Sequence, residues 1–331
     1  MSNLEQRPAE MLCATQGGES VQLITPRDVP LGGPRAMTVR RTLPTRARSL
    51  IGPWCFLDHY GPDPVAESGG MAVPRHPHTG LATVSWLFTG QVDHQDSAGH
   101  QAVVRPGTVN LMVAGRGISH SEFSTADTTV LHGAQLWFAL PEAQRHRAPS
   151  FEAFTPEPTA VGDAEVKVFL GALAGSRSPV QMYADGLGAE VVIPPHGSAQ
   201  VPVAPTSEHG VLVDQGGVSV KGRPLAVHQL AYCPPGSEHL ELQAGAEGAR
   251  LLLLGGPPFG ERIVMWWNFV ARSHEEIVEA VREWRAEIGV DSSGDDDAET
   301  ASFGPFGPFP DDSAAPLPAP NLPNARLRSR S

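Results

Sequence analysis

Apolar residues along this chain fall in short runs, broken every few positions by proline, glycine or a charged group. From Val21 onward the runs VQLITP, AMTVRRTLP, LATVSWLF, QAVVRPG, VNLMVAG and TVLHGAQLWFAL are rich in β-branched and aromatic residues and are bounded by turn formers. That is the pattern of β-strands. A second series follows in AEVKVFLGAL, GAEVVIP, SAQVPVAP, HGVLVDQGGVSV, HQLAYCPPG, HLELQAG and ARLLLLGG. Two β-rich blocks of similar length predict an all-β protein of two barrels or sandwiches in tandem. The polar, Pro-rich stretch 141–158 is the expected connector. We therefore expect a flexible N-terminus over 1–20, an N-terminal domain over 21–145, a C-terminal domain over 146–290 and a disordered tail over 291–331. No tight internal repeat is visible.

One segment breaks the strand pattern. Ser273-His-Glu-Glu276 has the form of a capping box, in which the serine side chain accepts from the amide three residues on and the glutamate reaches back. Ile277, Val278, Val281, Trp284 and Ile288 then recur at helical spacing, and Gly289 is a natural stop. A short helix docked on a sheet is expected there. Beyond Val290 the chain is Asp/Ser/Gly-rich and then Pro-rich, without periodicity. Its FGPFGPF segment reads as disorder before it reads as a docking motif.

Composition sharpens this picture. Among 331 residues there are 35 glycines and 32 prolines but only 18% charged residues, which suits many turns joining short strands and does not suit a helical bundle. Net charge is −12 with no basic stripe, which argues against direct nucleic-acid binding. The three cysteines, Cys13, Cys55 and Cys233, are far apart and form no CxxC pair, so a reducing cytoplasmic location is expected rather than a disulfide framework. No apolar signal core opens the chain, and no apolar run is long enough to span a membrane. A cytoplasmic monomer is the expectation.

The strongest chemical signal is His76-Pro-His78, followed by His120-Ser-Glu122. In a strand, residues i and i+2 share a face, so each motif can aim two donors at one point. Three imidazoles and a carboxylate suit a divalent first-row metal with open positions, and the absence of thiolates argues against a closed structural zinc site. Spacing alone leaves surface histidines and metal ligands both open. It also leaves the ion open: iron, manganese, nickel, copper or zinc.

These motifs resemble a known family. His76-Pro-His78-Thr-Gly80-Leu-Ala-Thr83-Val-Ser-Trp86-Leu is similar to the HPHxGxxTVxxL segment of the pirins. Gly115-Arg116-Gly117-Ile118-Ser119-His120-Ser121-Glu122 is similar to their GRGIxHxE segment. Phe56-Leu-Asp58-His59 and Asp93-His94-Gln-Asp96-Ser97 resemble two further pirin stretches, and the likeness runs from about Val21 to Ile288. The resemblance implies a bicupin fold, with one metal, usually iron, held in the N-terminal barrel by His76, His78, His120 and Glu122. General cupins often carry a further glutamate soon after the first pair. Leu81 to Trp86 offers none, as is usual for pirins. The Trp266-Trp267-Asn268-Phe269 run and the long tail set this chain apart from vertebrate pirins.

The resemblance also implies two functions. One is a quercetin (flavonol) 2,3-dioxygenase acting on a flavonol and O2, with Glu122 as general base. The other is a non-catalytic, redox-responsive regulator that binds a transcription factor or metabolic enzyme. His59, His94, Asp58 and Asp96 are candidates to support the ligands from behind. His100 and His132 carry no partner pattern. In the second block His196, His209, His228 and His239 are isolated and read as rim or surface residues, so no metal is expected there. That block is expected to pack on the first, with a crevice between them beside the site.

Overall fold

The computed structural model describes residues 21–31, 37–290, 304–310 and 314–330. The expected all-β architecture of two antiparallel barrels with one short helix near the C-terminus is what it shows. The first barrel has two sheets. The larger runs in the order Ser150–Phe154, Val109–Val113, Leu81–Thr89, Val130–Ala139, Trp54–Pro64, Met37–Leu43 and Arg27–Leu31. The smaller runs Ala72–His78, Ile118–Ser124, Val92–Asp96 and Gln101–Val104. Val39, Tyr60, Leu87 and Leu131 of the larger sheet pack with Val73, Val92 and Val104 of the smaller, closing the barrel.

The second barrel is one nine-stranded sheet wrapped on itself. Two long strands, Glu208–Val220 and His239–Gly256, run its length and pair along most of it. HLELQAG and ARLLLLGG, which read as two strands, are this one strand. Its register with the partner strand Glu208–Val220 shifts after Gly216 of that partner, whose φ is +74°. A Cβ there would come within 2.0 Å of the Gly248 carbonyl, so only glycine permits the approach.

The two barrels exchange their edges. Gln22–Ile24 pairs with Leu230–Cys233 of the second barrel, while Ser150–Phe154, inside the supposed connector, pairs with Val109–Val113 of the first. Between the barrels, where a crevice was expected, two sheet faces meet in a shared apolar layer. Trp54, Val84, Trp86, Leu111, Leu136 and Phe138 pack there against Phe169, Leu212, Leu252 and Leu254. Such strands are buried on both faces, and in Val130–Ala139 every residue after the first is buried.

The helix spans His274–Glu287. Ser273 Oγ accepts from the Glu276 amide at 3.3 Å, and Glu276 reaches back to the amide of Arg272 at 3.1 Å. Ile277, Ala280, Val281 and Trp284 form its buried stripe, whereas Val278 is exposed. The reading of 291–331 as disordered requires correction. Residues 304–310 and 314–330 pack on the first barrel and the helix, while 291–303 and 311–313 lie outside the described residues. Phe306 is fully buried against Trp284 and Phe269, and the Leu317 carbonyl accepts from Trp284 Nε1 at 2.8 Å. The Ile263 and Arg330 backbones form a reciprocal pair. Proline removes donors but leaves carbonyls and apolar rings, and the Phe306, Leu317 and Ala319 carbonyls are among the groups the segment uses.

Candidate metal centre

The strand Ile118–Ser124 lies between Ala72–His78 and Val92–Asp96. His120 stands opposite His76 on one side and Asp96 on the other, and Glu122 stands opposite His94. Directly opposed residues share a face, so His76, His120, Asp96, Glu122 and His94 all point into the barrel, as does His78 two residues from His76. A register shift between His120 and Glu122 relative to the His76 strand brings Val73 opposite Glu122. All six side chains are buried.

Hydrogen bonds define which nitrogens are available. The Nδ1–H of His76 donates to the Pro74 carbonyl at 2.8 Å, and that of His78 donates to the Asn268 carbonyl at 3.1 Å. His94 Nε2 lies 3.3 Å from Asp96 Oδ2, which leaves its Nδ1 to accept from His120 Nδ1–H at 3.4 Å. Each metal-facing Nε2 therefore carries a lone pair. Burial pushes the pKa values of His76, His78 and His120 down, and at His76 and His120 neighbouring imidazoles push the same way, so all three are neutral. Asp96 sits below the usual carboxylate range. Its burial would raise it, but hydrogen bonds from His94 and from the His100 backbone outweigh that.

The residues fit a divalent ion. His76 Nε2 is buried with no partner among the described residues. His78 Nε2 and His120 Nε2 face one another at 3.1 Å, lone pair to lone pair. That contact is unfavourable without a cation, yet two ligands at a right angle on an ion roughly 2.1 Å away would stand about 3.0 Å apart. The ring nitrogens of His76, His78 and His120 lie within 4.8 Å of one another. So do the donor atoms of His94, His120 and Glu122. The structure thus gathers His76, His78 and His120 in one group, while Glu122 joins His120 in a second group with His94.

Sequence reasoning had no means of finding several supporting groups. The Asn268 carbonyl reaches His78 because Trp267 and Asn268 form the tight turn between Val264–Trp266 and Phe269–Ala271. Trp267 has φ of +52°, a conformation that bulky residues avoid, so the turn is held by its surroundings. A parallel bridge from Thr79 to Phe269 and the approach of Gly80 to the Val270 carbonyl lock it against the His78 strand. Deeper in the barrel, Phe56, Asp58 and Tyr60 stand opposite Trp137, Gln135 and Gly133. Tyr60 Oη, Gln135 Nε2 and Trp137 Nε1 are buried without a hydrogen-bond partner among the described residues, and Trp137 packs edge-on to His78.

Two other candidates lie elsewhere. Asp58 is held by Arg41, whose Nε and Nη2 both donate at 2.7 Å. His59 faces outward, where its Nε2–H and that of His132 each donate to Asp214 Oδ1 at 2.6 Å, and Arg250 Nε donates to Oδ2 at 2.6 Å. Arg40 Nε donates to His59 Nδ1 at 3.3 Å, so the Nε2 of His59 carries the proton and this cluster is a closed hydrogen-bond network rather than an open ligand set. The expected isolation of His132 and His228 needs correction: the former is in this network and the latter's ring lies 5.1 Å from that of His59. His209, read as rim or surface, is buried.

The chain is similar to several known proteins. The Pirin domain family matches residues 36–138, and the Pirin C-terminal cupin domain matches 188–288. A candidate quercetin 2,3-dioxygenase of Pseudomonas aeruginosa is 43% identical over 288 residues, covering 86% of this chain and 90% of the relative. The crystal structure of a quercetin 2,3-dioxygenase from Acinetobacter baumannii superposes with a TM-score of 0.83 at 34% identity, covering 93% of this chain and 97% of that one. The bacterial pirin YhhW of Escherichia coli, solved in complex with nickel(II), shares the fold at 18% identity and a TM-score of 0.57, covering 72% of this chain and 100% of its own. One family model takes the barrel that carries the histidine and glutamate pairs and its companion takes the barrel without them, so the chain belongs to the pirin family of bicupins.

Proposed function

We propose that this protein is a metal-dependent flavonol 2,3-dioxygenase of the quercetin type, with His76, His78, His120 and Glu122 holding one divalent ion, iron first among the candidates. The observation that carries the reading is the trio of buried, neutral imidazoles whose unprotonated Nε2 atoms converge beside a carboxylate. A ligand set of three nitrogens and one carboxylate leaves coordination positions open, and a bound ion supplies Lewis acidity toward the substrate's oxygens and a place for O2. The names of the P. aeruginosa and A. baumannii relatives support quercetin as the substrate to try first.

The chain's own residues have distinct tasks in this reading. Glu122 is the general base that accepts the proton of the flavonol hydroxyl. The Pro74 and Asn268 carbonyls and the Asp96–His94 pair keep the three imidazoles in the ligating tautomer. Tyr60 Oη, Gln135 Nε2 and Trp137 Nε1 are groups that could hydrogen-bond a planar, hydroxylated substrate. The apolar walls around Phe56 and Trp137 exclude water. The alternative, a redox-responsive regulator, would use the long acidic, Pro-rich and basic tail beyond Val290 to hold its partner. Residues 304–310 and 314–330 are engaged with the body, which favours the enzyme.

Purified protein loaded with iron or manganese under controlled conditions should consume quercetin and O2 together under air. Turnover no greater than that of the free metal, at full occupancy of the protein, rejects the reading.

A further inference from the structure

The second barrel has no histidine–carboxylate pair, yet its mouth has the features of a built site. The strand Glu208–Val220 opens with alternating directions. Glu208 turns toward the first barrel, accepting from the Gly52 amide at 2.7 Å and from Tyr232 Oη at 2.8 Å. Ser207 and His209, on either side of it, line a cavity of about 1020 Å³ within the second barrel. Leu173, Val180, Met182 and Val203 supply apolar wall, and the small hairpin of Ala172–Leu173 with Ser176–Arg177 forms a lip. His209 is 3% and Ser207 8% exposed, and among the described residues neither side chain has a hydrogen-bond partner. Gly255 stands opposite His209, and a Cβ there would come within 2.8 Å of the ring, so glycine is what lets the imidazole lie at this position.

Two polar side chains that open onto the same cavity without a protein partner among the described residues mark a place for a ligand. We propose that the mouth of the C-terminal barrel is a second binding site, independent of the metal centre, for an uncharged and largely apolar molecule that offers a hydroxyl group to His209 and Ser207. The chemical class follows from what the cavity contains. Burial alone pushes His209 down to about 4, so at neutral pH it is an uncharged ring with one N–H and one lone pair. A hydroxyl can donate to that lone pair and accept from serine, which no purely apolar ligand can do. A carboxylate or phosphate would enter without a buried countercharge, because Arg177 and Asp185 stay exposed at the rim. Among the described residues no carboxylate or second imidazole joins His209 in a ligating group, so an ion is not the occupant. The volume is at the upper end of small-molecule sites, about 300–1,000 Å³, enough for a bicyclic aromatic alcohol.

The test uses the full-length, metal-loaded protein with 2-naphthol as probe, titrated by the probe's own fluorescence, beside naphthalene and 2-naphthoate. The wild type should bind 2-naphthol saturably, and either comparison compound at least about tenfold more weakly, the worth of one such hydrogen bond. His209→Leu should weaken 2-naphthol by a similar factor, whereas His209→Gln, which keeps a donor and an acceptor, should restore most of it. Both variants should keep the wild-type circular dichroism and metal content. His78→Ala should bind the probe as the wild type does, which separates this site from the metal centre and from the dioxygenase reading. Equal affinity in the His209→Leu variant, loss of binding in His78→Ala, or no saturable binding by the wild type would overturn the proposal.

Discussion

At the scale of single residues, a metal site is made as much by the second nitrogen of each imidazole as by the first. His76 and His78 were legible because their i, i+2 spacing puts two donors on one strand face. What the spacing could not convey is that Pro74 and Asn268 carbonyls occupy the Nδ1 atoms, since a carbonyl belongs to every residue and leaves no mark in the sequence. His94 and Asp96 were half visible, as another i, i+2 pair whose target became clear only when strand pairing set Asp96 opposite His120. These dependences give graded expectations. Wild-type protein should carry about one metal per chain. His78→Ala should lose nearly all of it, and Asp96→Asn, which weakens the hold on His94 and through it the orientation of His120, should lower affinity by roughly 10–100-fold. Elemental analysis beside circular dichroism measures both. Full metal content in the His78 variant, or two metals per wild-type chain, would refute the assignment.

At the scale of elements, hydrophobic pattern found the helix and also strands that are dry on both faces, such as Val130–Ala139 and Val109–Val113, and failed where polar side chains are buried. The helix His274–Glu287 was readable from its cap and its stripe, although Ala280 rather than Val278 completes the buried face. The strand Trp54–Pro64 escaped because Asp58, His59 and Tyr60 are buried on its two sides, so polarity does not alternate with exposure. The C-terminal segment escaped for a different reason. It has no period because it is not a helix or a strand, but its rings and carbonyls dock on partners that come from far away in sequence. Arg75 is the hub: on the outer side of the ligand-bearing sheet it donates to Ser119, Glu287 and the Gly307 carbonyl. Ser119 in turn donates to the Phe306 carbonyl at 2.9 Å. The segment thus backs the sheet whose inner face carries His76 and His120. Phe306→Ala should therefore cost about 3 kcal/mol in urea unfolding, the typical penalty for emptying a buried aromatic site. An unchanged midpoint would show that 304–310 is not packed in solution.

At the scale of the whole molecule, the question is what makes two barrels one body. Tandem β-blocks packed on one another were expected from the sequence, but the residues that make the contact were not apparent, because they look like any other core. The shared layer around Trp86 and Leu252 supplies area, and the exchanged edge strands tie each barrel to chain from the other's half. At the edge of that layer Asp214, from the second barrel, accepts from His59 and His132 of the first while Arg250 holds its other oxygen. Its carboxyl is depressed below the usual range: burial would raise it, but the two histidine hydrogen bonds prevail. The sign for Asp214 is that its contribution is complete above the ordinary carboxylate value of 3.8 and is lost only as pH falls below that toward the folded value. The histidines act earlier. Burial depresses His59, and it brings His228 and His209 to about 4 against an ordinary 6.5. The unfolded chain takes up protons below 6.5 that the folded one refuses, so stability should fall as pH drops from 7 to 4.5. The neutral metal-ligand histidines add to this in the same direction when the ion is absent. Asp214→Asn separates the two effects. It leaves the guanidinium of Arg250 and the two imidazoles without their shared anion, a loss of about 3 kcal/mol at pH 7 for a broken buried pair. The acid slope between pH 7 and 4.5 should persist in the variant, because the histidines remain buried. Urea midpoints of metal-free wild type and variant at pH 7, 5.5 and 4.5 decide the matter. Equal midpoints at pH 7 would show that the layer alone joins the barrels, and wild-type stability that stays level on acidification would show that the buried histidines are not held neutral.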